Sequence, residues 1–270
     1  MTHAEKDLTV AVTGPTGTFG SGLIPLLEAD DRIARVIGIA RRPFDPAARG
    51  WTKMEYRRGD VRDPDALREV FRDADVVVHL AFLITGTASR GTTKAINIDG
   101  TLNVFRAAGG AGVRRFVYAS SVAAYGFHRD NPAVLTEDWP VRPAARLFYA
   151  REKAQLEHLL AQEAHVYPDV RLYLLRPPIV LGPHFLGAKE LLPGPLAPLG
   201  RWLAERVGRM PVALPVPVPM LTMQLIHEED VGQALLLCVL GAGPPGAYNI
   251  AGGGIVPTAD IARELGAVPI

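Results

Sequence analysis

Tyr149 and Lys153 stand four residues apart in "FYAREKAQLE", so on a helix they share one face. A free phenol has a pKa of about 10, too high for efficient acid–base work at neutral pH. An ammonium beside it favours the phenolate and lowers that pKa. The pair therefore suits the passage of a proton to or from a carbonyl oxygen. Ser121, in "YASSVAAYG", carries a hydroxyl that could hydrogen-bond the same oxygen and stabilise charge on it. A tyrosine that anchors its helix beside a surface lysine would show the same spacing, so the pair alone does not decide.

The second chemistry-bearing stretch is "VTGPTGTFGSG", where Gly14, Gly17 and Gly20 fall three residues apart. An apolar run precedes it and "LIPLL" follows. A glycine-rich turn from a strand into a helix brings backbone amides up to a pyrophosphate, and the helix N-terminus adds partial positive charge. Gly14 and Gly17 would make the turn and the close approach, and Gly20 would let the helix pack on the sheet. The amides of Thr16, Gly17, Thr18, Phe19 and Gly20 would face the phosphates. The spacing is G-x-x-G-x-x-G, not the general G-x-G-x-x-G of dinucleotide sites. At the end of the second apolar run stands "GIARRPFD". Ala40 occupies the place of a ribose-binding carboxylate, and Arg41 and Arg42 follow. Guanidinium groups suit a phosphate dianion, which points to NADP over NAD. A solvated pair of loop arginines would read the same way.

These residues need a scaffold. Strand-like runs "LTVAVT", "ARVIGIA", "KMEYRRGD", "DVVVHLA", "RRFVYAS" and "VRLYLLRP" alternate with helical patterns. Among the latter are residues 18–29, "PDALREVF", "TKAINIDGTLNVFRAAGGAG" and "ARLFYAREKAQLEHLLAQEA". This alternation predicts an α/β fold, a doubly wound Rossmann-type parallel sheet. Pro25, inside the first helix, conflicts with it locally. After Pro177 the texture turns rich in proline and glycine, with one helical piece at "PLGRWLAERVG". "HEEDVGQALLLCVL" then returns to helix and "GAYNIAG" to strand. The predicted division is a dinucleotide-binding domain at 1–178, with a return segment at about 224–250. Residues 179–223 and 251–270 form a small C-terminal substrate-binding lobe.

Composition narrows the function further. The 270 residues are 48% hydrophobic, with a formal net charge of +1 and mixed signs. No basic cluster marks a nucleic-acid partner. The one cysteine, Cys238, lies in "ALLLCVL", which excludes a disulfide framework and argues against a cysteine metal site. No apolar run is long enough to span a bilayer, and the charged N-terminus lacks a secretory signal's apolar core. A soluble cytoplasmic protein with a small-molecule substrate, no metal and no membrane partner is the expectation.

Taken in order, "TGPTGTFG", "GDVRD", "VVHLAF", "NIDGTLNV", "VYASSVAAYG", "YAREK", "LRPPIVLGP" and "HEEDVGQAL" resemble the extended short-chain dehydrogenases/reductases. That group includes the NAD-dependent epimerase/dehydratases, and the resemblance runs from about residue 8 to 255. It implies that Ser121, Tyr149 and Lys153 are a catalytic triad, with Lys153 also holding the nicotinamide ribose. It implies that Asp60 and Val61 read the adenine, and that Leu80, Ala81 and Phe82 line the cofactor trough. Asn97 would sit on the helix behind that trough. Ala119 and Ser120, before the triad serine, and Pro177 and Pro178, near the nicotinamide, complete the implied cofactor site. Phe82, Ser121 and Ile179 would meet substrate. A homodimer through the fourth and fifth helices is the family's habit. His79 is read as a structural strand-end histidine. His227 would order the lobe junction, and Asp230 would cap a helix.

Departures from the family pattern bear on the substrate. "SSV" stands where sugar dehydratases carry Thr-Asp-Glu. Ile179 stands where sugar-nucleotide epimerases place an asparagine. "PPIVLGPHFLG", "LPVPVPMLTM" and the run Phe82, Leu83, Ile84 are apolar, which favours a substrate less polar than a sugar nucleotide. Lobe core would also account for them. Arg201, Arg206 and Arg209 could bind a diphosphate or cover a solvated helix face. The sequence ends soon after "YNIAGGG", so either the lobe is compact or a longer protein has been cut. The expected function is NAD(P)-dependent hydride transfer between nicotinamide and a carbonyl/alcohol substrate. The alternatives are a nucleotide-sugar epimerase with tightly bound NAD and a non-catalytic NADP-sensing regulator.

Overall fold

Seven strands pair side by side, every neighbour parallel. The structure is a computed structural model, and it describes residues 6–84, 89–144, 147–183, 214–216, 218, 221–264 and 267–270. The strands are β1 (Leu8–Thr13), β2 (Ile33–Ala40), β3 (Met54–Arg58), β4 (Val76–His79), β5 (Arg115–Ala119) and β6 (Arg171–Arg176). Next come β7 (Ile179–Leu181), β8 (Leu214–Val216), β9 (Thr222–Met223), β10 (Leu225–His227), β11 (Gly246–Asn249), β12 (Val256–Pro257) and β13 (Ala267–Pro269). The main sheet runs β3-β2-β1-β4-β5-β6-β11. Strand order reverses between β1 and β4, and such a reversal opens a ligand crevice beyond the C-terminal strand ends. The central strands are buried on both faces, with Val10, Ala11, Val12, Val76, Val77 and Val78 all 0% exposed. This explains their unbroken apolar sequence.

Helices α1 (Thr18–Ala29), α2 (Pro64–Phe71), α3 (Arg90–Lys94), α4 (Gly100–Gly110), α5 (Phe148–Val166), α6 (Glu228–Val239) and α7 (Thr258–Glu264) complete the order. A π-helical turn, Ala95–Asp99, joins α3 to α4. Asp63 caps α2 through the Asp65 and Ala66 amides, and Pro64 starts it, a favourable N-terminal pairing. Pro25 lies within α1 but on its exposed side. Its missing N–H withholds the helical donor from the Ser21 carbonyl one turn earlier. The helix α6 packs on α1 at a glycine crossing. A Cβ on Gly22 would lie 2.4 Å from Glu228 O, and one on Gly232 2.4 Å from Gly22 O.

The chain divides into two compact units, 1–178 with 228–250, and 179–227 with 251–270. The first holds the seven-stranded sheet. In the second, β7 pairs parallel with β10, β13 with β8, and β12 antiparallel with β9. Leu225–His227 pairs with Ile179–Leu181 within the second unit, and residues 228–250 belong to the first. The helical piece at "PLGRWLAERVG", with Arg201, Arg206 and Arg209, lies outside the described residues.

Candidate active site

The glycine turn links β1 to α1 at the crevice. Gly14 has φ +72°, and a Cβ there would fall 2.9 Å from Ala81 N. Its own N–H donates to Ile39 O at 2.9 Å. Only glycine fits both constraints. Gly20 packs flat on Pro15, whose carbonyl oxygen would lie 2.1 Å from an added Cβ. Gly17 differs from both. Its φ is −86°, and a Cβ there would meet only Gly14 O, at an ordinary 3.5 Å. The protein itself does not require glycine at that point. Gly17 is also the cap residue of α1 and, lacking a side chain, makes no side-chain cap hydrogen bond. Thr16 is exposed, and Thr18 and Phe19 are half-buried.

Beyond β2, Arg41 and Arg42 are exposed. Their backbone carbonyls are held by Arg58 Nε (3.0 Å) and by the Tyr56 hydroxyl. Asp60 follows β3, and its carboxylate takes Arg62 at Nε (3.0 Å) and Nη2 (2.7 Å). This pairing, with a smaller field from Arg41, holds the Asp60 carboxyl below its usual pKa. Val61 is buried and packs under Gly100. Leu80 and Ala81 run back over β1, with Leu80 N–H on Thr13 O (3.0 Å).

Ser121, Tyr149 and Lys153 converge. Ser121 caps a 3₁₀ turn (Val122–Tyr125), accepting from Ala123 N at 3.1 Å. It lies 3.4 Å from Pro177 O and shares a hydrogen bond with Tyr149. The Lys153 ammonium donates to Ala119 O (2.7 Å) and Tyr118 Oη (3.1 Å). It lies 3.8 Å from the centroid of the Phe82 ring and 5.8 Å from that of Tyr149. Burial pushes Lys153 down to about 7, against the opposing fields of Glu157 and Glu152. The expected lowering of the Tyr149 pKa by Lys153 is not found. Burial raises the phenol above its usual value, and only the Ser121 hydrogen bond works against that. The ammonium faces Ala119 and Tyr118, and its own charge is weakened by burial.

A second layer fixes these groups, and part of it escaped the sequence reading. Asn97, in the π turn, uses its amide on Leu83 and Glu152. The Ser120 hydroxyl goes to Glu157. Glu157 also receives Arg176 through Nη2 (2.6 Å) and Nε (3.0 Å), and Arg176 Nη1 reaches Tyr125 Oη at 2.6 Å. Glu152 and Glu157 are buried, yet in an amphipathic helix both read as surface residues. The signal was their spacing: three and eight residues beyond Tyr149, they return to its face. His79 is fully satisfied, with Nδ1 on Thr13 Oγ1 (2.6 Å) and Nε2 on Thr101 Oγ1 (2.8 Å). The Thr101 hydroxyl donates to Asn97 O, so it accepts from Nε2–H, and Thr13 donates to Nδ1. Burial lowers the His79 pKa to about 3. Pro178 ends the first unit. Ile179 opens β7 in the second and is 42% exposed.

A cavity of about 590 Å³ opens between the loop after β4, α3 and α5, with Glu152, Leu83, Ile98 and Arg151 in its wall. Neither Ser121 nor Tyr149 lines it, so its size does not mark the chemistry. Among the described residues no cluster of His, Cys, Asp and Glu could hold a metal. No described helix is long and apolar enough to cross a membrane.

Known proteins resemble this chain throughout its length. The profile of the NAD dependent epimerase/dehydratase family matches residues 10–251. An uncharacterised protein of Mycobacterium tuberculosis is 28% identical over 275 residues, covering 99% of this chain and 68% of that protein. Sterol demethylase protein B of Methylococcus capsulatus is 33% identical over 178 residues, 65% of this chain and 52% of that one. Among solved structures, the UDP-glucose 4-epimerase of Thermus thermophilus, in complex with NAD, superposes with a TM-score of 0.71. It is 26% identical, and the match covers 97% of this chain and 85% of that one.

Proposed function

The chain belongs to the NAD-dependent epimerase/dehydratase family, and from that premise we propose that it is a nicotinamide-dependent oxidoreductase acting on a carbonyl/alcohol pair. The observation that carries this reading is the convergence of Ser121, Tyr149 and Lys153. The residues fit a dinucleotide. Gly14 and Gly20 form the turn that the fold needs, while Gly17 lacks a side chain that only an outside group would exclude. The N-terminal amides of α1 would hold the pyrophosphate. Asp60 and Val61 would meet the adenine, and Leu80, Ala81 and Phe82 would line the trough. Ala119, Pro177 and Pro178 would border the nicotinamide. Asn97 and Ser120 support these groups through their own hydrogen bonds.

The nicotinamide, when bound, takes or gives the hydride. Tyr149 gives the proton to a carbonyl oxygen, or takes it from an alcohol. Its raised pKa keeps the phenol protonated at neutral pH, which suits donation to a carbonyl. Ser121 shares the hydrogen bonding at that oxygen, and Lys153, held on Ala119 O and Tyr118 Oη, would hold the nicotinamide ribose. Tyr149→Phe removes only the hydroxyl. Turnover of a carbonyl panel should fall about 10²-fold or more while NADPH and NADH titrations stay unchanged. Full activity in the variant refutes the assignment.

Cofactor choice is part of the proposal. Ala40 offers no carboxylate to a ribose, and Arg41 and Arg42 are exposed on carbonyl-pinned backbone, which supports NADP. Replacing both arginines by alanine should weaken NADPH at least tenfold and leave NADH unchanged, and equal losses would refute the preference. The apolar residues Phe82 and Ile179, together with the likeness to a protein named for sterol demethylation, support a weakly polar substrate. A nucleotide-sugar epimerase is the second reading, favoured by the likeness to the Thermus thermophilus enzyme and its NAD. NAD retained through purification, with no net NADPH consumption, would select it. Homodimerisation through α4 and α5 in the cytoplasm completes the proposal, and light scattering on the purified chain tests the dimer.

A further inference from the structure

Glu152 precedes Lys153 on α5 and is 9% exposed. A carboxylate so far from water needs a partner. Its Oε2 accepts from Asn97 Nδ2 at 2.8 Å. The rest of that amide goes to a single residue. Asn97 Oδ1 accepts from Leu83 N–H at 2.8 Å, and Nδ2 donates to Leu83 O at 3.0 Å. The carboxylate settles which end of the amide is which, because only Nδ2 can donate to it. Turned over, the amide would set its oxygen against Glu152 and lose both bonds to Leu83.

Leu83 is thereby held at both backbone groups, in a segment outside any strand or helix. Phe82 is the residue before it. Its ring lies over the Lys153 ammonium at 3.8 Å and edge-on to Tyr149 at 5.7 Å. Asn97 enters from the π turn, whose extra residue shifts the register of the helix. We propose that Glu152 is a positioning residue: its carboxylate orients the Asn97 amide, that amide clasps Leu83, and the clasp seats Phe82 against Lys153 and Tyr149. The consequence for cofactor binding rests on the function proposed above, but the clasp does not.

The test uses the full chain without ligand. Glu152→Ala removes the acceptor, Glu152→Gln keeps an acceptor without the charge, and Asn97→Leu keeps α5 intact while removing the acceptor of the Leu83 N–H and both donated bonds. Amide hydrogen exchange at Leu83 is the readout, with a thermal melt to confirm the fold. Exchange at Leu83 should quicken at least tenfold in Glu152→Ala and Asn97→Leu, and stay within threefold of the parent in Glu152→Gln. NADPH and NADH titrations should weaken in the first two variants and recover in the third. Should Glu152→Ala fail to fold, the other two decide. Unchanged Leu83 exchange in Asn97→Leu, or Glu152→Gln exchanging as fast as Asn97→Leu, overturns the proposal. Leu83 released as expected in a chain that binds neither NADPH nor NADH supports the clasp and refutes the oxidoreductase reading instead.

Discussion

Two glycines of one turn should fail in opposite ways when each is replaced by alanine. At Gly14 the backbone is left-handed, φ +72°, and the new Cβ would press on Ala81 N at 2.9 Å and Ala81 Cα at 3.0 Å. The left-handed conformation costs an L-residue about 1–2 kcal/mol. Overpacking against backbone that cannot rotate away adds about 1–3 kcal/mol. The total, about 2–5 kcal/mol, lowers the melting temperature by on the order of 10 °C for a unit of this size. At Gly17 φ is −86° and the new Cβ meets one oxygen at 3.5 Å. The loss of a good cap residue and the gain from a stiffer unfolded chain nearly cancel, within about 1 kcal/mol. The Gly17 methyl would instead stand where a pyrophosphate approaches. A thermal melt and a fluorescence titration with NADPH and NADH, run on both variants, separate the effects. Gly14→Ala should melt early. Gly17→Ala should melt with the parent and bind at least tenfold more weakly, about 1.4 kcal/mol. Gly17→Ala melting as early as Gly14→Ala, or binding like the parent, would refute the reasoning.

Other perturbations follow from the buried polar groups and the helix crossing. His79 titrates near 3 when folded instead of its usual 6.5. The unfolded chain therefore binds the extra proton between those values, and stability present above 6.5 is lost as pH falls towards 3. In His79→Gln, the slope of unfolding free energy against pH over that window should flatten by up to about 1.4 kcal/mol per pH unit; an unchanged slope contradicts the assignment. Glu157→Ala strands the Arg176 charge and should cost about 3–5 kcal/mol in urea unfolding, while a loss under about 1 kcal/mol would show that the pair is not what holds α5 to β6. Gly232→Ala gains about 1 kcal/mol of helix propensity but puts a Cβ 2.4 Å from Gly22 O. Net destabilisation on melting is expected, and a stabilised variant would mean that α1 and α6 separate freely.

How far the fold could be read depended on how its elements announce themselves. β1 and α1 were legible to the residue, because an unbroken apolar strand meets a glycine turn there. α2 was equally clear, with Asp63 and Pro64 marking its start. The π turn was not legible, since one added residue leaves a 3.6-residue pattern almost unchanged over so short a span. The pairs β7 with β10 and β9 with β12 involve two or three residues each, too few for a period to show. At the candidate site, the nearness of Ser121, Tyr149 and Lys153 was legible from their spacing and from the order of the motifs around them. The phenol's raised pKa was not, because it depends on how deeply Tyr149 is buried. Glu152 and Glu157 were missed because hydropathy assigns a carboxylate to the solvent face, and only the tertiary partners Asn97 and Arg176 reverse that.

The glycine crossing of α1 and α6 also bears on the order of synthesis. The partner of the first helix is encoded after residue 227, beyond the whole of 179–227. A nascent chain that has emerged only to Pro178 carries β1 to β6 but neither α6 nor the edge strand β11. Its α1 flank and the open side of β6 stay uncovered until translation has passed residue 250. A gene fragment ended at the first unit boundary would thus express an unfinished sheet with a bare edge, the kind of species that aggregates or recruits chaperones. The unit that holds the seven-stranded sheet is completed only by its return at 228–250, and it should be expressed together with that return.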